Sequence, residues 1–146
     1  MVLLVQKEVA ERIIARDEKE SLLSMSVKAY GEPKFIETVK RGSFFPMPNV
    51  DSATLSIENI KPFHLDMPCP STPSLEVGPP SDAEEKFFKL IHAGFAQKRK
   101  MILGNLAETL GGREAAEKAL LASNINPKSR AEDLKIGDWK RLVKNF

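Results

Sequence analysis

Cysteine is almost missing from this chain. Cys69 is the only one in 146 residues, which excludes a disulfide framework and a cysteine-based zinc site and fits a reducing, cytoplasmic setting. Histidine is nearly as scarce: His64 and His92 stand alone, so no metal ion is expected. Long apolar runs are also lacking. Met1-Val2-Leu3-Leu4-Val5 is too short for a signal-peptide core and has no basic lead-in, and nothing later could span a bilayer. Net charge is only +2, so any polyanion partner must be argued from local clustering. What remains, 42% hydrophobic and 29% charged residues, describes a soluble globular protein, expected as a monomer.

The apolar run Val2 to Val5 is bounded at once by Gln6, Lys7 and Glu8, which predicts a short, fully buried strand of the kind found mid-way in a parallel sheet. Gln6 to Arg16 carries Val9, Ile13 and Ile14 at helical spacing, and Glu8 and Glu11 should face solvent or pair with Lys7 and Arg12. Leu22 to Tyr30 reads as a second helix, ended by Gly31. Lys34 to Val39 and Asp51 to Ile57 alternate as two antiparallel strands, and Arg41 to Val50 between them is loop. Six of the ten prolines lie from Pro62 to Pro80, marking a linker.

Beyond it, Ser81 or Asp82 caps a helix with Glu84 and Glu85 in its first turn. Phe88, Ile91, Phe95, Ile102, Leu106 and Leu110 share one face of a continuous wheel, with His92 beside them as a packed core histidine. Arg99 falls on that face too, and the cost of burying it unpaired argues for a break near Gln97. Gly111-Gly112 closes this segment. Helices near Glu114 to Ser123 and Asp138 to Asn145 follow, signalled by Asn126-Pro127 and Gly137-Asp138 and anchored at the end by Trp139 and Phe146. The expected architecture is an α/β piece followed by a small helical bundle. An apolar strand at the first residues, with no preceding element to cover it, predicts a chain begun inside a domain.

Two stretches carry chemistry. Ser43-Phe44-Phe45-Pro46-Met47-Pro48-Asn49-Val50-Asp51-Ser52 has two prolines one residue apart, which stiffen a loop and fix the direction of a flanking aromatic. Such an aromatic suits stacking on a base drawn out of its helix, though the same phenylalanines could simply plug a core at a proline-rich turn. Asp51 and Ser52 have no histidine at a spacing that suggests a nucleophilic triad. In Phe95-Ala96-Gln97-Lys98-Arg99-Lys100-Met101-Ile102-Leu103-Gly104-Asn105-Leu106, three successive cations at an expected helix start suit phosphate contacts, or form a solvated charged patch.

Together with Val5 to Ile13, with Leu23-Ser24-Met25-Ser26-Val27 and Tyr30, and with Arg130-Ala131-Glu132-Asp133-Leu134, these stretches resemble, in this order, the KsgA family of small-subunit rRNA adenine dimethyltransferases, and more distantly the erythromycin-resistance rRNA methylases. The resemblance spans nearly the whole chain except about Lys61 to Ser81, which is longer and richer in proline than the family's usual connection. It implies the C-terminal part of a methyltransferase-type Rossmann sheet (three strands, two helices) over residues 1–60, a proline-rich linker over 61–81 and a helical rRNA-recognition domain over 82–146.

The resemblance also implies roles. Family members use S-adenosylmethionine to dimethylate adjacent adenines of a ribosomal RNA hairpin loop during ribosome biogenesis. Phe44, in the loop of Pro46 and Pro48, corresponds to the aromatic that stacks on the target adenine, and Lys98, Arg99 and Lys100 to the segment near RNA. Val2 to Val5 corresponds to the fifth strand and the later two strands to the terminal antiparallel pair. The family's glycine-rich cofactor loop, its acidic ribose ligand and its Asn-Leu-Pro-Tyr motif have no substitute here, since Gly111-Gly112 follows no strand. No catalytic or cofactor-binding residue is therefore expected in this chain, and it should not methylate RNA alone. A non-catalytic RNA-binding or ribosome-assembly module, or a folded remnant with no RNA role, remain the other readings.

Overall fold

The computed structural model describes residues 1–63 and 81–146. His64, Cys69, Gly78 and Pro68, Pro70, Pro73, Pro79 and Pro80 lie outside the described residues, and with them most of the expected linker. The chain divides into two compact units, Met1–Pro62 and Phe63–Phe146.

The first unit runs β1 (Val2–Gln6), α1 (Lys7–Ile14), α2 (Leu22–Tyr30), β2 (Glu32–Val39), a 3-10 turn at Arg41–Ser43, and β3 (Ser52–Glu58). The strands form one sheet in the order β1-β3-β2, antiparallel at both interfaces. Val2↔Ser56 and Gln6↔Ser52 bracket the first ladder, and Glu32↔Glu58 and Val39↔Ser52 the second. Leu3, Leu55 and Phe35 line up across all three strands. A bulge between Phe35 and Glu37 leaves Ile36 unpaired and exposed, which is why the apolar alternation of β2 is imperfect. The inward residues of β3, Ala53, Leu55 and Ile57, meet Ala10 and Ile13 of α1 in a core joined by Leu3, Val5, Val9, Val27 and Phe35.

The strand expected at Val2 to Val5 is present, but not as a fully buried strand within a parallel sheet. It pairs antiparallel with β3 at one end of the strand order, and Val2 and Leu4 are 65% and 55% exposed. Among the described residues helices cover one face of this sheet. A uniformly apolar run carries no record of which face is covered, so alternation reappears only in the burial of Leu3 and Val5.

Helix α1 ends where Ala15 turns left-handed, and its acids pair on its own surface: Glu8 with Arg12 at 2.8 Å, as expected, but Glu11 with Arg16 at 2.5 Å. Helix α2 has a reciprocal cap, with Ser24 N–H donating to Ser21 Oγ at 3.1 Å and Ser21 N–H to Ser24 Oγ at 2.8 Å. Beneath that cap the carboxylate of Glu20, buried, accepts from Lys28 Nζ at 2.7 and 2.9 Å and from Ser24 Oγ at 2.6 Å. A carboxylate out of water needs such saturation, because an unpaired one costs several kcal/mol. Gly31 then ends α2 as expected, and a Cβ there would lie 2.7 Å from Ile57 Cγ2, so only glycine lets β3 pass this close. At the sheet surface Lys34 donates to Glu58 at 2.6 Å. That hydrogen bond, then the charge behind it, raises the Lys34 ammonium above its usual value and lowers the Glu58 carboxyl below its own, but both are solvent-exposed and the pair adds little stability.

The second unit runs α3 (Asp82–Phe95), α4 (Ile102–Leu106), α5 (Arg113–Ala122), a 3-10 turn at Ala131–Asp133 and α6 (Ile136–Lys144). Ser81 caps α3 through Glu84 N–H at 3.3 Å, and the helix breaks at Phe95, close to the expected point. Because α3 and α4 are separate helices, the continuous wheel does not describe the core. Phe87, Leu90, Ile91 and Gly94 are the buried positions of α3, while Phe88 and Phe95 are half-buried and His92 is exposed, not packed. Phe63 packs on Phe87 with ring centroids 4.8 Å apart. Gly137 lies inside α6 rather than before it, and Asp138 accepts from Lys135 N–H at 2.9 Å to start the helix.

Trp139 is the largest fully buried side chain, stacked on Phe95 at 5.9 Å, while Phe146 is partly exposed beside Lys86. The indole Nε1 finds no acceptor among the described residues. Its hold on the unit is steric: a Cβ on Gly94 would come within 2.3 Å of the ring at Cη2, with Ile102 Cδ1 at 3.2 Å. Gly94→Ala gains about 1 kcal/mol of helix propensity, but a buried indole cannot yield by an ångström, and overpacking costs about 1–3 kcal/mol. We expect a net loss, read as a lower urea midpoint for the variant; a midpoint at or above the native value would show that α3 and α6 can separate without penalty.

Candidate nucleic-acid interface

Residues 40–51 leave β2 and return to β3 as the proline-bearing loop. Ser43 N–H donates to Lys40 O at 3.0 Å and Phe44 N–H to Arg41 O at 3.3 Å, forming the 3-10 turn. Asp51 closes the loop twice. Its carboxylate accepts from Arg41 N–H at 3.0 Å, and its carbonyl accepts from Lys7 N–H, at the junction of β1 and α1, at 3.0 Å. Asp51, which suggested no nucleophilic partner in the sequence, is thus a clasp. Phe44 is half-buried and Pro48 likewise, whereas Pro46 is exposed and Phe45 projects entirely into solvent, joined to Pro46 by a cis peptide bond. The sequence reading singled out Phe44; the fully exposed ring is its neighbour, a distinction that the F-x-P-x-P spacing does not contain.

Lys98, Arg99 and Lys100 occupy the turn between α3 and α4, not the first turn of a helix. All three are exposed, and with Gln97 they line an open surface concavity of about 500 Å³. No carboxylate neutralises them among the described residues. Lys100 N–H donates to Gln97 O at 3.0 Å, making the turn, and Ile102 N–H donates to Ser129 O at 2.8 Å, fixing its exit. Arg99 therefore needs no buried partner, consistent with the break expected before it.

A proline-bearing aromatic loop and a triplet of exposed cations are chemically suited to bases and phosphates. Residues 1–69 match the family model described as ribosomal RNA adenine dimethylase. The whole chain aligns at 39% identity with ribosomal RNA small subunit methyltransferase A of Dehalococcoides mccartyi (strain CBDB1), covering 46% of that protein. The chain is thus similar to the ribosomal RNA adenine dimethylase family over residues 1–69, and to this methyltransferase along its full length.

A second relative, ribosomal RNA small subunit methyltransferase A of Fusobacterium nucleatum, is 38% identical over 99% of this chain and 50% of its own length. The chain thus spans about half the length of the curated relatives it matches. Two solved structures share the fold: the 23S rRNA methyltransferase ErmE, with a TM-score of 0.66 at 22% identity over 99% of this chain and 53% of its own, and a dimethyladenosine transferase from Plasmodium falciparum, with a TM-score of 0.68 at 20% identity over 97% and 54%. The α/β piece followed by helices accordingly shares its fold with about half of each of these two chains.

The resemblance implied S-adenosylmethionine as the cofactor. The residues of this chain do not suit that cofactor: Gly111 and Gly112 join α4 to α5, and no glycine-rich turn follows β1. Three residues that the sequence analysis did not assign to a site shape the two loops instead: Asp51 as clasp and Phe45 as the exposed ring in one, and in the other Asn105, whose side chain reaches back to the end of α3. The only sequence signal of Asp51 and Asn105 is a short polar residue next to a turn, too common to single out.

Asp51→Ala removes the carboxylate from Arg41 N–H. Exchange of the Ser43 and Phe44 amides should then speed up about tenfold, as loss of one charge-assisted hydrogen bond at a partly exposed site implies. Unchanged exchange would mean that the prolines alone hold the loop.

Proposed function

We propose that this chain supplies the RNA-facing part of a small-subunit rRNA adenine dimethyltransferase acting in ribosome biogenesis. Phe44 stacks on the target adenine and Lys98, Arg99 and Lys100 bind backbone phosphates. The observation that carries this reading is the match along the full chain to ribosomal RNA small subunit methyltransferase A. The clasped aromatic loop and the three exposed cations support it.

The adenine amine is a poor nucleophile because its lone pair is delocalised, so methylation depends on acceptors that orient it beside the methyl donor. The Asn-Leu-Pro-Tyr motif and the glycine-rich loop that the resemblance implies do not occur in residues 1–146, and by this reading the chain alone binds RNA without methylating it. The same observation favours a second reading, a non-catalytic RNA-binding or ribosome-assembly module. Isothermal titration with S-adenosylmethionine, run beside a methyl-transfer assay on a small-subunit rRNA hairpin, tests the inactivity. Cofactor binding or transfer by the isolated chain would refute it.

RNA binding should be salt-sensitive. Three phosphate contacts give log affinity against log salt a slope of about −2 to −3. Replacing Lys98, Arg99 and Lys100 together by alanine should flatten it, and an unchanged slope would make the segment ordinary surface. In a chimera completed with the remaining half of the D. mccartyi relative, Phe44→Ala should lower turnover roughly tenfold, the scale of one base-aromatic stack of ~1–3 kcal/mol, while RNA affinity changes less. Equal loss of both, or a larger turnover loss from Phe45→Ala, would reassign the stacking ring.

A further inference from the structure

Helix α3 stops at Phe95, and a stopped helix leaves its last carbonyls without donors. One side chain answers two carbonyls at this point. Asn105 Nδ2, on α4, donates to Gly94 O at 2.6 Å and to Gln97 O at 3.1 Å. The first acceptor belongs to the residue wedged against Trp139, and the second opens the turn that carries Lys98, Arg99 and Lys100. Both neighbours are carbonyls, so the amide must face them with its nitrogen. The exit of the same turn is tied by Ile102 N–H to Ser129 O at 2.8 Å. The cation loop is therefore fixed at entry and exit while its three charged side chains stay in solvent.

We propose that Asn105 is a positioning residue for RNA binding: it holds the Gln97–Lys100 turn in the shape in which the three cations meet successive phosphates. The proposal rests on the RNA-binding role given to that segment above. Its physical basis is preorganisation. A loop that must be ordered on binding spends interaction energy on its own entropy, and one already latched does not. Asn105 touches no phosphate itself, and its effect passes wholly through the loop.

A double-mutant cycle on the full chain separates positioning from ordinary stabilisation. In the native background Asn105→Ala should weaken binding to a small-subunit rRNA hairpin about fivefold by lost preorganisation. It should also reduce the salt slope by about one, as if one phosphate contact no longer formed. In the background where Lys98, Arg99 and Lys100 are alanine, the same change should have no effect on residual binding. Asn105→Gln, which keeps an amide donor, should bind more tightly than Asn105→Ala and serves as the test variant if the alanine protein does not fold. An equal loss in both backgrounds, or none in either, overturns the proposal. Amide exchange at Lys100 and Met101, measured without RNA, should quicken in Asn105→Ala. If the native chain shows no salt-dependent RNA binding, the RNA reading and the role proposed here fall together, and the exchange data then report only whether the latch exists.

Discussion

Strand β3 is bonded along both edges, to β1 on one side and β2 on the other, and the first unit hangs from it. A strand with two ladders cannot shift register without breaking both, so Ala53, Leu55 and Ile57 are held toward α1. Three other features follow from that fixed line. Gly31 must lack a side chain because β3 passes beside it. The bulge at Ile36 absorbs the residue that β2 has in excess. Asp51, immediately before β3, sits where its carbonyl reaches Lys7 and its carboxylate reaches Arg41.

The second unit has no sheet to set its geometry and relies on fit around one ring. Trp139 of α6 packs against Gly94 and Phe95 of α3, and Ile102 of α4 closes on the same glycine. Close packing of a rigid indole fixes distances between helices more sharply than flexible aliphatic contacts would. Further along, Arg141 Nε donates to Ser123 O at 3.2 Å and Asn145 Nδ2 to Ser123 Oγ at 2.9 Å, so α6 also closes the frayed end of α5.

The two candidate RNA-binding segments use the same device. Each is a loop whose own backbone polar groups are satisfied by a short polar side chain, Asp51 in one and Asn105 in the other. With the backbone spoken for, the side chains of the loop, Phe45 in one and Lys98, Arg99 and Lys100 in the other, are left in solvent. An enzyme that acts on a base taken out of a hairpin needs surfaces that are exposed but not loose, and anchoring the backbone rather than burying the side chains achieves both.

Much of this was legible in the chain itself. Helix α2 and its glycine stop, the antiparallel strands on either side of the Phe-Pro loop, the Ser81 cap and the break before Arg99 follow from local rules of capping, alternation and the cost of burying charge. The ordered motifs also pointed to the proteins that the chain is similar to, since five spaced segments carry more information than any one. Local rules could not reach contacts between residues far apart in sequence. Val2 to Val5 is apolar on both faces, so only the sheet decides which face is covered. His92 and Phe88 lie on an apolar wheel, yet the break in the helix and the position of Trp139 turn the buried face to Phe87, Leu90, Ile91 and Gly94. Which of two adjacent phenylalanines stands in solvent, and that Asn105 rather than any other polar residue reaches Gly94 and Gln97, were settled by tertiary structure, because a hydrogen bond or a steric wedge depends on ångström distances that residue spacing does not encode.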